Sequence, residues 1–189
     1  VVDGVRCIHG QHIPYVILTK TSCTAGNLLH FADLQAAAPV MGALFDLEAS
    51  GYFYSRLQNP TCDAVAAKIC EMEGGSAAML TSSGQAANFY AGFNIANCGD
   101  HVVSCSTIYG GTFNLFSVTM KKMGIDFTFV SPHCTDEELE AAFRPNTKAV
   151  FGETIANPAL TVLDIEKFAK VAHAHGVPLI VDNTFATPW

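Results

Sequence analysis

A chain of 189 residues, half of them apolar, is long enough for one sizeable core, and its 14% of charged residues lies well below the usual share of about a quarter. The formal charge of −7, with ten Lys and Arg scattered and only Lys121 and Lys122 adjacent, lays down no basic stripe, so nucleic acid is not an expected partner. So little charge predicts a surface covered by another subunit or by a further part of the same chain, and an oligomer is the expectation.

Residues 74–99 carry no charged side chain, yet Gly74, Gly75, Ser82, Ser83, Gly84, Gln85, Asn88, Asn94 and Asn97 interrupt the run too often for a bilayer span. No basic segment leading into an apolar one opens the chain, so no secretory signal is expected, and the cytoplasm is the expected compartment. Seven cysteines, an odd number without CxxC spacing, predict free thiols rather than a disulfide framework or zinc ribbon. His173 and His175 lie two apart on a helical pattern and point to different faces, so no metal is expected.

In chain order, helical spacing covers Thr61 to Glu73, with Thr61 as N-cap after Asn59-Pro60 and Gly74-Gly75 as the stop. Ala77 to Thr81 reads as a strand, Gln85 to Asn97 as a helix, and His101 to Cys105 as the next strand. Thr112 to Met123 is helical, Ile125 to Val130 extended, and Thr135 with Glu138 forms a capping box for a helix to Phe143. Lys148 to Glu153 is a strand; Asp164 to His175 is an amphipathic helix stopped by Gly176; Val177 to Asp182 is an apolar, buried parallel strand. Such alternation predicts a mostly parallel α/β sheet, with binding loops beyond the strand C-termini.

Four loops carry small or polar residues directly after a strand: Thr81 to Gln85, Ser106 to Gly111, Thr154 to Pro158 and Asp182 to Thr184. They are expected to converge on one crevice. The turn Ser82-Ser83-Gly84-Gln85 offers free backbone N–H groups at a helix start, an anion site that suits a phosphate, or else is a tight turn without a ligand. It matches neither GxGxxG nor GxxxxGK[ST], which disfavours a plain NAD or ATP site. By local pattern alone, Asp182 is either a chemical group at a strand end or a cap for the following turn.

The motifs Tyr54-Ser55-Arg56-Leu57-Gln58-Asn59-Pro60-Thr61, Ser82-Ser83-Gly84-Gln85-Ala86-Ala87, Tyr109-Gly110-Gly111-Thr112, Glu153-Thr154-Ile155-Ala156-Asn157-Pro158 and Val181-Asp182-Asn183-Thr184-Phe185 together resemble the Cys/Met-metabolism family of pyridoxal-phosphate enzymes. The resemblance runs from about Phe45 to Trp189. It implies a fold type I transferase large domain, mostly parallel sheet with helices on both faces, whose C-terminal small domain is absent from this chain. Residues 1–45 are read as an N-terminal arm and 46–189 as a partial cofactor-binding large domain. Active sites shared between subunits, in a homotetramer of two catalytic dimers, follow from the same resemblance.

The resemblance assigns roles residue by residue. Gly84 and Gln85 would donate backbone N–H groups to the cofactor phosphate, and Tyr54 with Arg56 would reach the neighbouring subunit's phosphate site. Tyr109 would stack on the pyridine ring and take part in proton transfer, and Asn157 would bond the cofactor's phenolic oxygen, with Glu153 in support. Asp182 would pair with the pyridine nitrogen. Tyr109 and Asp182 are thus the expected catalytic residues. Leu57-Gln58-Asn59-Pro60 and residues 151–164 are more similar to members acting on O-acetylhomoserine than to methionine γ-lyases. The implied reaction, within sulfur amino-acid metabolism and methionine biosynthesis, replaces acetate by sulfide or methanethiol and yields homocysteine or methionine.

Two departures accompany the match. The Schiff-base lysine of the family is expected about two dozen residues past Trp189, and the arginine for the substrate carboxylate lies beyond as well, so the chain as written is expected not to catalyse. Residues 1–44 match the family's arm only loosely, and Cys62 stands where a more polar residue is expected. The alternatives are a methionine or cystathionine γ-lyase, and, from another class, a non-catalytic cofactor-domain fragment.

Overall fold

The computed structural model describes residues 2–7, 14–19, 42–46, 48, 49, 51, 52 and 54–188. Among these residues seven strands form one sheet: β1 Val2–Cys7, β2 Pro14–Thr19, β3 Gly75–Leu80, β4 His101–Cys105, β5 Asp126–Val130, β6 Thr147–Glu153 and β7 Leu179–Asp182, in the spatial order β3-β1-β2-β7-β6-β4-β5. Pairing is parallel from β2 through β7, β6 and β4 to β5, whereas β1 is antiparallel to both β2 and β3. Only β1 therefore runs against the other strands, and the expected mostly parallel α/β architecture is what the chain adopts. The segment read as an arm, 1–45, contributes β1 and β2 to this sheet and a helical turn at 42–45; its remaining residues lie outside the described residues.

Among the described residues five further helices connect the strands. Helix α1, Pro60–Met72, begins one residue before the expected start because Asn59, not Thr61, is its N-cap: the Asn59 side chain accepts from Thr61 N at 2.9 Å and from Cys62 N at 3.1 Å. Pro60 fits the first helical position, where no N–H is needed. Helix α2, Gly84–Ile95, is capped by Ser83, whose hydroxyl accepts from Ala86 N at 3.1 Å. Helix α3 opens at Gly110–Asn114 and widens into a π-helix over Leu115–Met120, which a 3.6-residue period cannot reveal. There the Ser117 hydroxyl donates to Phe113 O at 2.7 Å, a side-chain bond that competes with the backbone ladder.

Helix α4, Asp136–Ala141, carries the expected Thr135/Glu138 capping box, and α5, Ile165–Ala174, has Asp164 as N-cap. Gly176, at φ +71°, supplies the left-handed residue that ends α5. Strand β7 starts at Leu179 rather than Val177. Pro178 has no N–H for the ladder, although its carbonyl still accepts from Val150 N at 3.0 Å.

The core lies along β4, β6 and β7. Every residue of β4 and β7 is buried, as the continuous apolar runs predict for strands covered on both faces. Phe116 stacks on Phe127 with centroids 4.5 Å apart and meets Phe151 edge-on at 4.8 Å, which ties α3 to β5 and β6. Among the described residues Cys62, Cys70, Cys98, Cys105 and Cys134 are free thiols, and burial pushes the Cys105 thiol up to about 12.

At the start of β4, His101 is fully buried between Thr147 Oγ1 on Nδ1 and Thr128 Oγ1 on Nε2, each at 2.8 Å. Burial, and then the Arg144 guanidinium, depress its pKa from 6.5 to about 4, against the opposing pull of Asp126. A depressed folded-state pKa contributes stability above the unfolded value, and that stability is lost as pH falls through the folded one. Acidification from pH 6.5 to 4 is therefore expected to remove up to about 3 kcal/mol. Urea unfolding across that window should show the loss in the native chain and a flattened slope in His101→Gln.

Candidate functional site

Strands β3, β4, β6 and β7 run in one direction, so the loops after them gather at one edge of the sheet. All four expected loops contribute to a single cleft of about 300 Å³ at that edge. Gly84 and Gln85 come from the first loop and the start of α2, Tyr109 from the second, Ile155 and Asn157 from the third, and Asp182 and Thr184 from the fourth. Glu153, Asn88, Thr112 and Phe185 complete the lining. Of the residues singled out from sequence, Gly84, Gln85, Tyr109, Asn157 and Asp182 meet here.

Asp182 ends β7 directly beside Glu153, which ends β6 in register with it. Both carboxylates are almost fully buried. Asp182 Oδ1 accepts from Thr184 N at 2.9 Å, and Oδ2 accepts from Asn88 Nδ2 at 3.0 Å. The two readings of this residue therefore combine: the carboxylate caps the following turn and also lines the cleft. Glu153 Oε1 accepts from Tyr109 N at 2.7 Å and Oε2 from Asn157 N at 3.3 Å, so one side chain fastens two of the four loops. Burial raises the Glu153 carboxyl above the usual range, the charge of Asp182 adds to this, and the two N–H groups work against it.

Tyr109 is the residue before α3, with its side chain half exposed. Its ring folds back over Gly111: a Cβ there would lie 2.5 Å from Tyr109 Cε1 and 3.1 Å from Cδ1, so the ring position requires glycine. At the start of α2 the Gly84 and Gln85 N–H groups precede the first possible intrahelical bond and remain available to a ligand. Tyr54 and Arg56 are placed elsewhere, on an exposed turn in which the Arg56 guanidinium lies 4.9 Å from the Tyr54 ring centre, and neither lines this cleft. No lysine lines the cleft among the described residues.

Asn88 and Thr112 escape a reading based on motifs. Asn88 Nδ2 donates both to Asp182 and to Thr112 Oγ1 at 3.1 Å, and the Thr112 hydroxyl donates to Gln85 Oε1 at 3.1 Å. The available signal was an Asn inside a charge-free helix, three residues after Gln85 and so on its face, where Asn has poor helix propensity. Among the described residues no group of three His, Cys, Asp or Glu could hold a metal ion, and no helix is long and apolar enough to cross a membrane.

Residues 27–189 match the model of the Cys/Met metabolism PLP-dependent enzyme family. An O-acetyl-L-homoserine sulfhydrylase of Corynebacterium glutamicum is 52% identical over 143 residues, covering 76% of this chain and 33% of that protein. A homocysteine/cysteine synthase of Saccharomyces cerevisiae is 49% identical, covering 75% of this chain and 32% of its own length. A Campylobacter jejuni structure assigned as an O-acetylhomoserine (thiol)-lyase, solved with N'-pyridoxyl-lysine-5'-monophosphate, superposes with a TM-score of 0.74 at 40% identity, covering 86% of this chain and 39% of that one. The chain thus spans about a third of the length of the curated relatives it matches. With its mostly parallel sheet, its cleft at the strand ends and these relatives, this chain belongs to the Cys/Met metabolism PLP-dependent enzymes.

Proposed function

We propose that the cleft is the cofactor-binding part of an active site that replaces the acetate of O-acetyl-L-homoserine by sulfide or methanethiol, giving homocysteine or methionine. The observation that carries this reading is the placement of one buried carboxylate, Asp182, in the same cleft as the free N–H groups at the start of α2. A ligand with an anionic group at one end and a basic ring nitrogen at the other suits that pair, and Tyr109 offers an aromatic face between the loops. Pyridoxal phosphate has these features, and the residues present fit it.

When bound, that cofactor supplies an electron-withdrawing ring that eases proton removal beside the substrate amino group. The protein's part is to bind and orient. Gly84 and Gln85 hold the phosphate through backbone N–H groups, Asp182 holds a proton on the ring nitrogen, and Asn157 donates to the ring's oxygen. Tyr109 covers the ring and serves as a proton carrier for the departing acetate. Tyr54 and Arg56, exposed on their turn, reach the phosphate site of a neighbouring subunit, in a homotetramer of two catalytic dimers in the cytoplasm.

In this reading residues 46–189 are part of a large domain, and 1–45 are an arm whose strands β1 and β2 join its sheet. The Schiff-base lysine and the substrate-carboxylate arginine come from sequence outside residues 1–189, and a polypeptide of these residues alone turns over no substrate. The test is product analysis on the full chain with O-acetyl-L-homoserine. Homocysteine and acetate formed only when sulfide is supplied support the proposal. A 2-oxo acid and ammonia formed without sulfide would identify a γ-lyase instead.

A further inference from the structure

The two N–H bonds of Asn88 and the hydroxyl of Thr112 form a chain with one direction. The Asp182 carboxylate can only accept, which forces Asn88 to turn its amide nitrogen toward it. The same nitrogen gives its second proton to Thr112 Oγ1, so the Thr112 hydroxyl sends its own proton onward to Gln85 Oε1. The Gln85 carbonyl is thereby turned toward Thr112, which leaves the N–H2 group as the donor this side chain offers the cleft it lines.

The cost of this arrangement is visible at the other end of the amide. Among the described residues Asn88 Oδ1 is buried without a hydrogen-bond partner, while Asn88 is 2% exposed and Thr112 fully buried. Turning the amide over would set its oxygen against the Asp182 carboxylate. A buried carbonyl left unpaired in a native protein calls for a reason. Here the reason is that both N–H groups are committed to the site.

We propose that Asn88 is a positioning residue whose one amide aims Asp182 at the ring-nitrogen end of the cleft and, through Thr112, turns the Gln85 side chain donor-first toward the phosphate end. This rests on the cofactor reading above and extends it to two further residues of the cleft lining. The two ends of the site are linked by three hydrogen bonds, so disturbing Asn88 alters how each end recognises a ligand.

The test uses the full chain freed of cofactor and measures equilibrium binding of pyridoxal 5'-phosphate, of its 1-deaza analogue, which lacks the ring nitrogen, and of pyridoxal, which lacks the phosphate. Asn88→Leu is expected to weaken pyridoxal 5'-phosphate by about tenfold or more, as befits losing a hydrogen bond to a charged group, and the 1-deaza analogue by less than about threefold. Thr112→Val should weaken both phosphorylated ligands and leave pyridoxal unchanged. Asn88→Ser, which adds no bulk, keeps the test available if the leucine variant does not fold, and should show the same pattern as Asn88→Leu.

Equal weakening of pyridoxal 5'-phosphate and the 1-deaza analogue by Asn88→Leu would mean simple packing and would overturn the proposal. Asp182→Ala separates the two levels of the argument. If it discriminates between those two ligands while Asn88→Leu does not, the positioning role alone falls. If Asp182→Ala does not discriminate either, the ring-nitrogen role falls and takes the positioning role with it.

Discussion

Asp182→Asn is expected to lower kcat/KM by about a hundredfold to a thousandfold, the range found when a preorganised electrostatic partner of the reaction is removed. The substitution keeps the shape of the side chain, so its effect reports on charge and donor pattern. Both contacts on Asp182 come from N–H donors, Thr184 N on one oxygen and Asn88 Nδ2 on the other. An Asn at this position has one acceptor for the two. Its amide nitrogen would face Asn88 Nδ2, and Asn88 would relieve the conflict by turning its Oδ1 inward, at the expense of its bond to Thr112.

Folding should survive, because the strand positions around residue 182 are held by Leu179, Ile180 and Val181 in the core. The predicted signature is thus a large loss of turnover with a small change in thermal midpoint. Steady-state kinetics and a melting curve on the full chain check it. A variant that retained full turnover would show that the carboxylate only caps its turn.

Glu153→Leu carries the second large effect, this time on stability. It leaves Tyr109 N and Asn157 N without the acceptor that fastens their loops, and two partly buried donors stranded in this way cost about 2–4 kcal/mol together. Glu153→Gln should fall between the native chain and the leucine variant, because its single carbonyl oxygen can accept from one of the two N–H groups. The pH dependence adds an independent check. Burial raises the Glu153 carboxyl, so this group contributes stability below about pH 4.5 that is lost as pH rises through the raised value. Urea midpoints measured from pH 4 to 7 should lose that component in Glu153→Gln. The buried His101 imposes the opposite slope, and the native profile is the sum of the two.

Helices and strands were legible from residue 60 onward because the chain alternates apolar runs with amphipathic segments closed by Gly, Pro and capping side chains. His101 to Cys105 is a strand with the expected limits, and Thr135 with Glu138 is the expected capping box. Misplaced boundaries came where two local signals compete: Asn59 over Thr61 as the cap of α1, and Pro178 over Val177 at the start of β7. The π-helical turns of Leu115–Met120, which carry Phe116 and Met120 in the core, left no trace, since a 3.6-residue period does not distinguish them.

Among the site residues, sequence by itself determined that Gly84, Gln85, Tyr109, Asn157 and Asp182 belong to loops after strands, and parallel strands bring such loops to one edge. Only the tertiary structure decided what supports them. That Glu153 lies beside Asp182 depends on the register of β6 with β7, and that Asn88 faces Asp182 across 94 residues depends on how α2 packs against the sheet. Contacts of such long range arise from strand order and helix rotation, which hydrophobic periodicity leaves open, so the residues that fasten and aim the site emerge from the fold and not from any motif.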